Sequence, residues 1–388
     1  MKVTIAQLNP LVGDIDGNAS KLMETLSRES QAGADLVVFP ELFLVGYPPQ
    51  DLLERPWFIE KTQRAIRDVA QFSARHPGTG LIFGAPMPTG VEVGKRLYNS
   101  AVLVHQGKVI FVQHKSLLPT YDVFDELRYF SPAPEIRTVD FKGETLGLSI
   151  CEDAWNDREL WPMGGLYALD PIKALADKGA SLLINISASP FFMDKEEIRF
   201  RLIRNHARRH QRPFLFVNQV GGNDELVFDG CSCAISPDGT LLGRAASFAE
   251  DLLVIDTSGP AGRCEELGDP LAALSAALKL GLRDYIGKCG FKTVVLGLSG
   301  GIDSAVVAVL AADAIGSQNV HAVAMPSRYS SPGSLTDAEQ LAANLKIHYQ
   351  VVPIRHGLRT VISAYLGVDE RRPAEASALA AMASRVRW

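Results

Sequence analysis

Short apolar runs bounded by turn residues recur along the N-terminal part of the chain: VTIAQLN, DLVVFPE, GLIFGAP, AVLVHQG, KVIFVQH, TLGLSIC, SLLINIS and FLFVNQV. Runs of this length, rich in β-branched residues, predict strands. Stretches of helical spacing lie among them near 18–32, 57–75, 165–178 and 195–210, so the pattern predicts an α/β unit in which a Gln106-Gly107 turn pairs two strands directly. Two segments echo each other, QAGADLVVFP at 31–40 and DKGASLLINI at 177–186. Each reads as a helix end, a glycine and a buried strand, which suggests a pseudo-twofold arrangement within this unit. Strand signals continue through CSCAISPDGTLL and DLLVIDTS, after which SGPAGRCEELGDP has no period. The expected division is a first domain over 1–260, a linker over 261–270 and a second domain over 271–366. In the second domain a helical stretch leads to the strand TVVLGLS, a glycine loop, the helix DSAVVAVLAADAIG, the strand VHAVAMP, another helix and the strand HYQVVPI. That order predicts the opening of a doubly wound parallel sheet.

Length agrees with two units, since 388 residues exceed the roughly 250–300 at which a single core stops growing. Hydrophobic residues at 47% and charged residues at 21% fit a soluble globular chain. A net charge of −5 argues against nucleic acid or anionic lipid as a general partner. The six arginines in 199–212 therefore read as a solvated or subunit-facing helix. No basic leader precedes an apolar core and no run of ~18 apolar residues occurs, so a cytoplasmic protein without membrane contact is expected. The five cysteines, Cys151, Cys231, Cys233, Cys264 and Cys289, are odd in number and scattered, which argues against a disulfide framework and for a reducing compartment. Neither Cys231 with Cys233 nor His206 with His210 has the look of a closed zinc site.

Three polar residues follow apolar strands: Glu41 after DLVVFP, Lys115 after VIFVQH and Cys151 after TLGLSI. Strand ends of this kind gather at one rim, and a thiol, a carboxylate and an ammonium together supply the parts for covalent acyl transfer from an amide. The surrounding words FPELFLVGYP, HKSLLPTYDVFDELRYF and GLSICEDAWN resemble, in order, the three catalytic motifs of the nitrilase superfamily, and in wording the glutaminase domains of bacterial glutamine-dependent NAD synthetases. The resemblance covers roughly 1–255. It implies a four-layer α-β-β-α sandwich, with Cys151 as nucleophile, Glu41 as base, Lys115 as partner of thiolate and oxyanion, and Glu126 as a supporting carboxylate. It also implies that Tyr121 and Phe124 line a glutamine pocket. NISASPFFMDK resembles the segment that grips the substrate, which places Ser189 and Lys195, joined by Glu152, near the amino and carboxylate groups of glutamine. No cofactor is expected for this hydrolysis.

Between the strand TVVLGL and the following helix stands SGGIDS, where backbone amides and a helix N-terminus converge on a spot suited to phosphate. No GxxxxGK[ST] word occurs. SGGIDS resembles the pyrophosphate loop of ATP pyrophosphatases, and AMPSRYSSPGSLTDA at 324–338 resembles NAD synthetases in particular. The resemblance implies an adenine nucleotide alpha hydrolase-like domain in which Ser299, Gly300, Gly301, Ile302, Asp303 and Ser304 bind ATP and Asp303 helps to place Mg²⁺. The implied reaction is adenylation of deamido-NAD followed by amidation with ammonia from glutamine, in a chain expected to form homo-oligomers.

Beyond about residue 366 the sequence reads differently: the tail over 367–388 ends in the Ala/Arg-rich DERRPAEASALAAMASRVRW and is expected to lie outside the resemblance and to reflect a truncation or frameshift that leaves the sheet incomplete and the synthetase step crippled. Two other readings stay open at this level. One is a free-standing nitrilase-like amidase with a vestigial second segment; the other is a non-catalytic adenylate-binding module.

Overall fold

The computed structural model describes residues 1–91, 94–157, 160, 167–327 and 330–354. The tail expected over 367–388 and the end of the expected second domain therefore lie outside the described residues. Two units emerge, Met1–Asp284 and Tyr285–Trp388.

In the first unit the chain runs β1 (Lys2–Gln7), α1 (Ile15–Gln31), β2 (Leu36–Val38), α2 (Pro56–Ser73), β3 (Gly80–Pro88), β4 (Leu97–His105) and β5 (Lys108–His114). It continues through α3 (Glu126–Tyr129), β6 (Val139–Phe141), β7 (Glu144–Ile150), α4 (Pro171–Asp177), β8 (Leu182–Ser187), α5 (Lys195–His210) and β9 (Phe214–Asn218). A hairpin of β10 (Val220–Asn223) and β11 (Leu226–Asp229) follows, then β12 (Cys233–Ile235), β13 (Leu241–Arg244) and β14 (Asp251–Asp256). The next helix, α6 (Pro270–Lys288), contains the division between the units.

Two six-stranded sheets result, in the orders β14-β1-β2-β3-β4-β5 and β13-β12-β9-β8-β7-β6. The interior strands read as continuous apolar runs because both their faces are covered, and the period of two decides which layer each side chain enters. In β2, Leu36 and Val38 point between the sheets with Val3, Ile5, Ile82 and Leu103, against Leu148, Ile150, Ile184 and Val217 of the second sheet. Val37 points the other way, under Ile15, Leu22 and Leu26 of α1 and Phe58, Ile66 and Val69 of α2. On the far side, α4 and α5 cover the second sheet through Ile172, Leu175, Leu202, Ile203 and Ala207. Each fully buried aliphatic or aromatic side chain contributes about 1.5–3 kcal/mol. The layers are α-β-β-α, as the family resemblance implied.

The sequence echo is structural. Gly33 and Gly179 end α1 and α4 in the same way: Ala34 N donates to Glu29 O and Ala180 N to Leu175 O, and Gly33 N and Gly179 N reach Ser30 O and Ala176 O. The strands that follow, β2 and β8, are interior in their respective sheets. The expected β4–β5 hairpin also forms, antiparallel and closed at His105 opposite Lys108.

Two expectations need correction. FLFVNQV is not a single strand, because pairing breaks between Asn218 and Val220, where Gln219 N turns to Ser187 O. The arginines of 199–212 are not uniformly solvated: Arg201, Arg204, Arg208, Arg209 and Arg212 are exposed, but Arg199 is buried and meets both oxygens of Asp229, with Nη1 to Oδ1 at 2.8 Å. All five cysteines are free.

The second unit holds a parallel sheet of β15 (Val294–Gly297), β16 (Val320–Ala324) and β17 (His348–Val351), in that order. The strands alternate with α7 (Ile302–Ile315) and α8 (Pro332–Leu345), which is half of a doubly wound sheet among the described residues. No helix among the described residues is long and apolar enough to cross a membrane.

Candidate active site

The first sheet delivers Glu41 and Lys115. Just past β2 the chain bends sharply at Leu42 (φ 48°), and β3 presses against that bend: Phe39 N donates to Ile82 O, Gly84 N to Pro40 O and Leu44 N to Gly84 O. This lattice holds Glu41 in a fully buried position. Its Oε1 accepts from Lys115 Nζ and from Asn99 Nδ2, each at 2.7 Å, and its Oε2 accepts the backbone N–H of Ala188 at 2.9 Å. Lys115 follows β5, and its ammonium also donates to Glu126 Oε1 at 2.7 Å. Tyr47 OH donates to the same Glu126 oxygen at 3.0 Å.

Desolvation alone would discharge the Lys115 ammonium, but Glu126 and Glu41 hold its pKa well above the usual lysine range. Burial pushes Glu126 up to about 7, against the pull of Lys115. Charge therefore sits on the lysine at neutral pH, with two carboxyl groups competing for it.

Cys151 comes from the second sheet. It follows β7 at the start of a single 3-10 turn, Cys151–Ala154, and adopts φ 42°. A non-glycine residue in this left-handed region costs on the order of 1–3 kcal/mol and persists when its surroundings fix it. Asn185 Nδ2 reaches Cys151 O at 3.4 Å, His206 Nε2 donates to Ala154 O at 2.7 Å, and Asp153 Oδ2 accepts from Ile150 N at 2.9 Å. Asp153 Oδ1 accepts from Ser116 N and Leu117 N, both at 2.9 Å. Burial and then Glu41 raise the Cys151 thiol well above its usual range, while Lys115 lowers it. The resting group is a thiol within electrostatic reach of a carboxylate and an ammonium, as covalent attack on an amide requires.

Of the residues that the resemblance assigned to a glutamine pocket, Tyr121, Glu152 and Lys195 lie within electrostatic reach of Cys151. Glu152, also buried, accepts from Tyr121 OH through both oxygens at 2.9–3.0 Å and from Tyr167 OH at 3.0 Å. Tyr121 meets Phe124 edge to face at 5.8 Å. Lys195 opens α5, donates to Pro190 O at 2.8 Å and lies over the rings of Phe192 (4.8 Å) and Trp155 (5.5 Å). Burial brings its pKa down to about 8, with Cys151 and Glu152 acting in the opposite sense. Ser189 is buried, and its backbone N–H donates to Asn218 Oδ1 at 2.9 Å. Sequence reasoning missed Asn99, the Ala188 amide, Tyr47 and Asp153. Tyr47, Asp153 and Ala188 lie inside the words FPELFLVGYP, GLSICEDAWN and NISASPFFMDK, whereas Asn99 carries no comparable local signal.

In the second unit, Ser299 to Ser304 form a compact loop between β15 and α7. Ser304 Oγ donates to Gly301 O at 3.0 Å and lies 3.0 Å from Ser299 Oγ, and Gly301 N donates to Ser299 Oγ at 3.3 Å. Ile302 and Asp303 begin α7, with Gly301 as its N-cap. Gly300 has φ 81°, and a Cβ there would stand 2.2 Å from Ser334 O in the first turn of α8. The loop borders an open cleft of about 720 Å³, lined by residues that include Ser299, Met325, Ser331 and Ser334. Gly300→Ala combines backbone strain with this clash and, on the expectation that this loop holds ATP, should weaken ATP binding by about tenfold or more, measured by calorimetry against the parent chain. Unchanged affinity would contradict the placement of phosphate at this loop.

Comparison with known proteins agrees with both halves. The carbon-nitrogen hydrolase family model matches residues 2–259 and the NAD synthase model matches residues 274–388, the latter running through the tail at 367–388. The glutamine-dependent NAD(+) synthetase of Synechocystis sp. is 42% identical over 382 residues, covering 96% of this chain and 68% of that protein. The protein of the same name from Aquifex aeolicus is 36% identical, over 94% of this chain and 68% of its own. The structure of glutamine-dependent NAD+ synthetase from Acinetobacter baumannii, in complex with ADP, superimposes with a TM-score of 0.84 at 32% identity, over 97% of this chain and 70% of that one. An amidase from Nesterenkonia sp. shares the fold of the first unit, with a TM-score of 0.56 at 24% identity over 66% of this chain and 89% of that one. A buried Glu41–Lys115–Glu126 cluster beside Cys151, a glycine loop at the head of a parallel sheet and these matches lead to one assignment: the chain belongs to the glutamine-dependent NAD(+) synthetases.

Proposed function

We propose that the first unit hydrolyses glutamine to glutamate and ammonia through a thioester on Cys151, and that the second uses ATP to convert deamido-NAD to NAD with that ammonia. The observation that carries the reading is Lys115 held 2.7 Å from two buried carboxylates, within electrostatic reach of the Cys151 thiol.

In the first half-reaction Sγ attacks the side-chain amide carbon of glutamine and the thiol proton passes to Glu41. The carbonyl electron pair moves onto oxygen, where Lys115 and backbone donors stabilise it; one such donor is worth about 10²–10³ in rate at comparable sites. Glu41 then returns the proton to nitrogen as the C–N bond breaks and ammonia leaves. Water attacks the thioester, Glu41 takes its proton, and the thiol re-forms; proton transfer of this kind contributes about 10²–10⁴. Glu126 keeps Lys115 charged. Ser189, Lys195 and Glu152 hold the charged head of glutamine, with Tyr121 and Phe124 along the pocket wall.

In the second half-reaction the carboxylate of deamido-NAD displaces pyrophosphate from ATP, and ammonia then displaces AMP to form the amide. Ser299, Gly300, Gly301, Ile302, Asp303 and Ser304 bind the phosphates, which the amides at the α7 N-terminus favour. No group of three His, Cys, Asp or Glu able to cage a metal exists among the described residues. A single carboxylate, Asp303, beside the phosphate loop fits Mg²⁺ carried on ATP, where the ion offsets phosphate charge. Homo-oligomer formation through the exposed arginine face of α5 belongs to the same reading.

The test is ammonia release from glutamine, asparagine and simple ω-amides, with Cys151→Ala as the blank and mass spectrometry of a trapped Cys151 adduct. Glutamine is expected to be preferred and the adduct to map to Cys151. Preference for an amide lacking the amino-acid head would instead favour a free-standing amidase.

A further inference from the structure

The two sheets contribute separately to the site: Lys115 leaves the first sheet after β5, and Cys151 leaves the second after β7. Their relative position depends on whatever ties one strand end to the other. Asp153 makes such a tie. Its side chain is buried; Oδ2 accepts from Ile150 N, on the residue before Cys151, and Oδ1 accepts from Ser116 N and Leu117 N, on the two residues after Lys115, all at 2.9 Å. One carboxylate thus joins the residue preceding the nucleophile to the residues following its cationic partner, across the junction of the sheets.

We propose that Asp153 is a positioning residue for glutamine hydrolysis, a carboxylate clamp that sets the spacing of Lys115 and Cys151 and holds Cys151 in its left-handed conformation. This rests on the reading of Cys151 as nucleophile. Three N–H donors on one carboxylate make a demanding partner set, because charge-assisted bonds are short and strong and the alternative is a buried unpaired anion. Burial raises the Asp153 carboxyl to about 7, and the three N–H donors pull against that rise. An amide in its place must turn an NH₂ donor toward at least one of those N–H groups, so one side of the clamp opens while the volume stays the same. Asp153 shares no bond with Tyr121, Phe124 or Lys195, so substrate binding should be less affected than turnover.

The experiment compares the full chain with Asp153→Asn, using Cys151→Ala as a reference. Asp153→Asn is expected to lower kcat for glutamine hydrolysis about 30-fold or more, with KM changed less than about threefold, and to slow alkylation of Cys151 by iodoacetamide to a similar degree. Far-UV circular dichroism should remain that of the parent. If Asp153→Asn does not yield folded protein, Asp153→Ser, which adds no misdirected NH₂, is measured in the same way. Parental kcat and alkylation rate in a folded variant would overturn the clamp, as would a loss confined to KM. Activity surviving in Cys151→Ala would instead bring down the underlying reading.

Discussion

Lys115→Ala is expected to hydrolyse no measurable glutamine and to lose about 3–5 kcal/mol of stability in the first unit, the usual range for breaking a buried ion pair from one side. The cause is what remains behind. Glu41 and Glu126 each lose a 2.7 Å partner in a place where neither they nor Lys115 has meaningful contact with water. Two carboxylates cannot both stay ionised there, and the one that takes up a proton removes either the base or its neighbour from service. Pairing the change with Glu126→Gln separates stability from chemistry. The double variant has one stranded carboxylate fewer and should regain part of the lost stability, but no turnover, because the cation proposed to stabilise the oxyanion is still missing. Urea unfolding of the four proteins together with ammonia release provides the test. A Lys115→Ala protein with the parental midpoint would mean that the cluster carries no net charge coupling.

Gly84→Ala should be nearly as damaging to activity although it touches no reacting group. A Cβ at this position would stand 2.0 Å from Leu42 N and 2.6–2.7 Å from the backbone of Glu41. Backbone cannot rotate aside as a flexible side chain can, so β3 and the Glu41 bend must separate. Misplacing a catalytic group by about 1 Å costs on the order of 10²-fold in rate, and that is the expected fall in glutamine turnover. Overpacking should cost about 1–3 kcal/mol in addition. ATP binding, proposed above for the glycine loop of the second unit, serves as the internal reference and should be unchanged. Retention of more than half the parental turnover would show that the Glu41 bend can yield without consequence.

The order of strands and helices was legible because burial on both faces makes each interior strand a continuous apolar run, and because Gly33 and Gly179 mark two helix ends in the same way. Glu41, Lys115 and Cys151 were visible as polar residues at strand ends within recognisable words. The contacts of Asn99 and the Ala188 amide with Glu41 were not, since they depend on how strands and sheets face one another, which no local spacing encodes. Asp153 was hidden for the same reason: two residues after Cys151 it reads as one more acid in a turn, and its role appears only when Ser116 and Leu117 arrive from the opposite sheet. Arg199 was misjudged through its neighbours, because α5 is polar along most of its length while Asp229 waits beneath a single position.

The first strand also pairs with the last one of its unit. Lys2 through Gln7 lie antiparallel to Asp256 through Asp251, and Met1 N donates to Thr257 Oγ1. At about 5–20 residues per second, a ribosome delivers the outer partner of β1 some 10–50 s after β1 itself. During that interval the nascent chain holds one open sheet edge, a surface that invites pairing with other chains. Chaperone dependence and yield should therefore respond to translation speed across the codons before residue 251, long after Cys151 has been made.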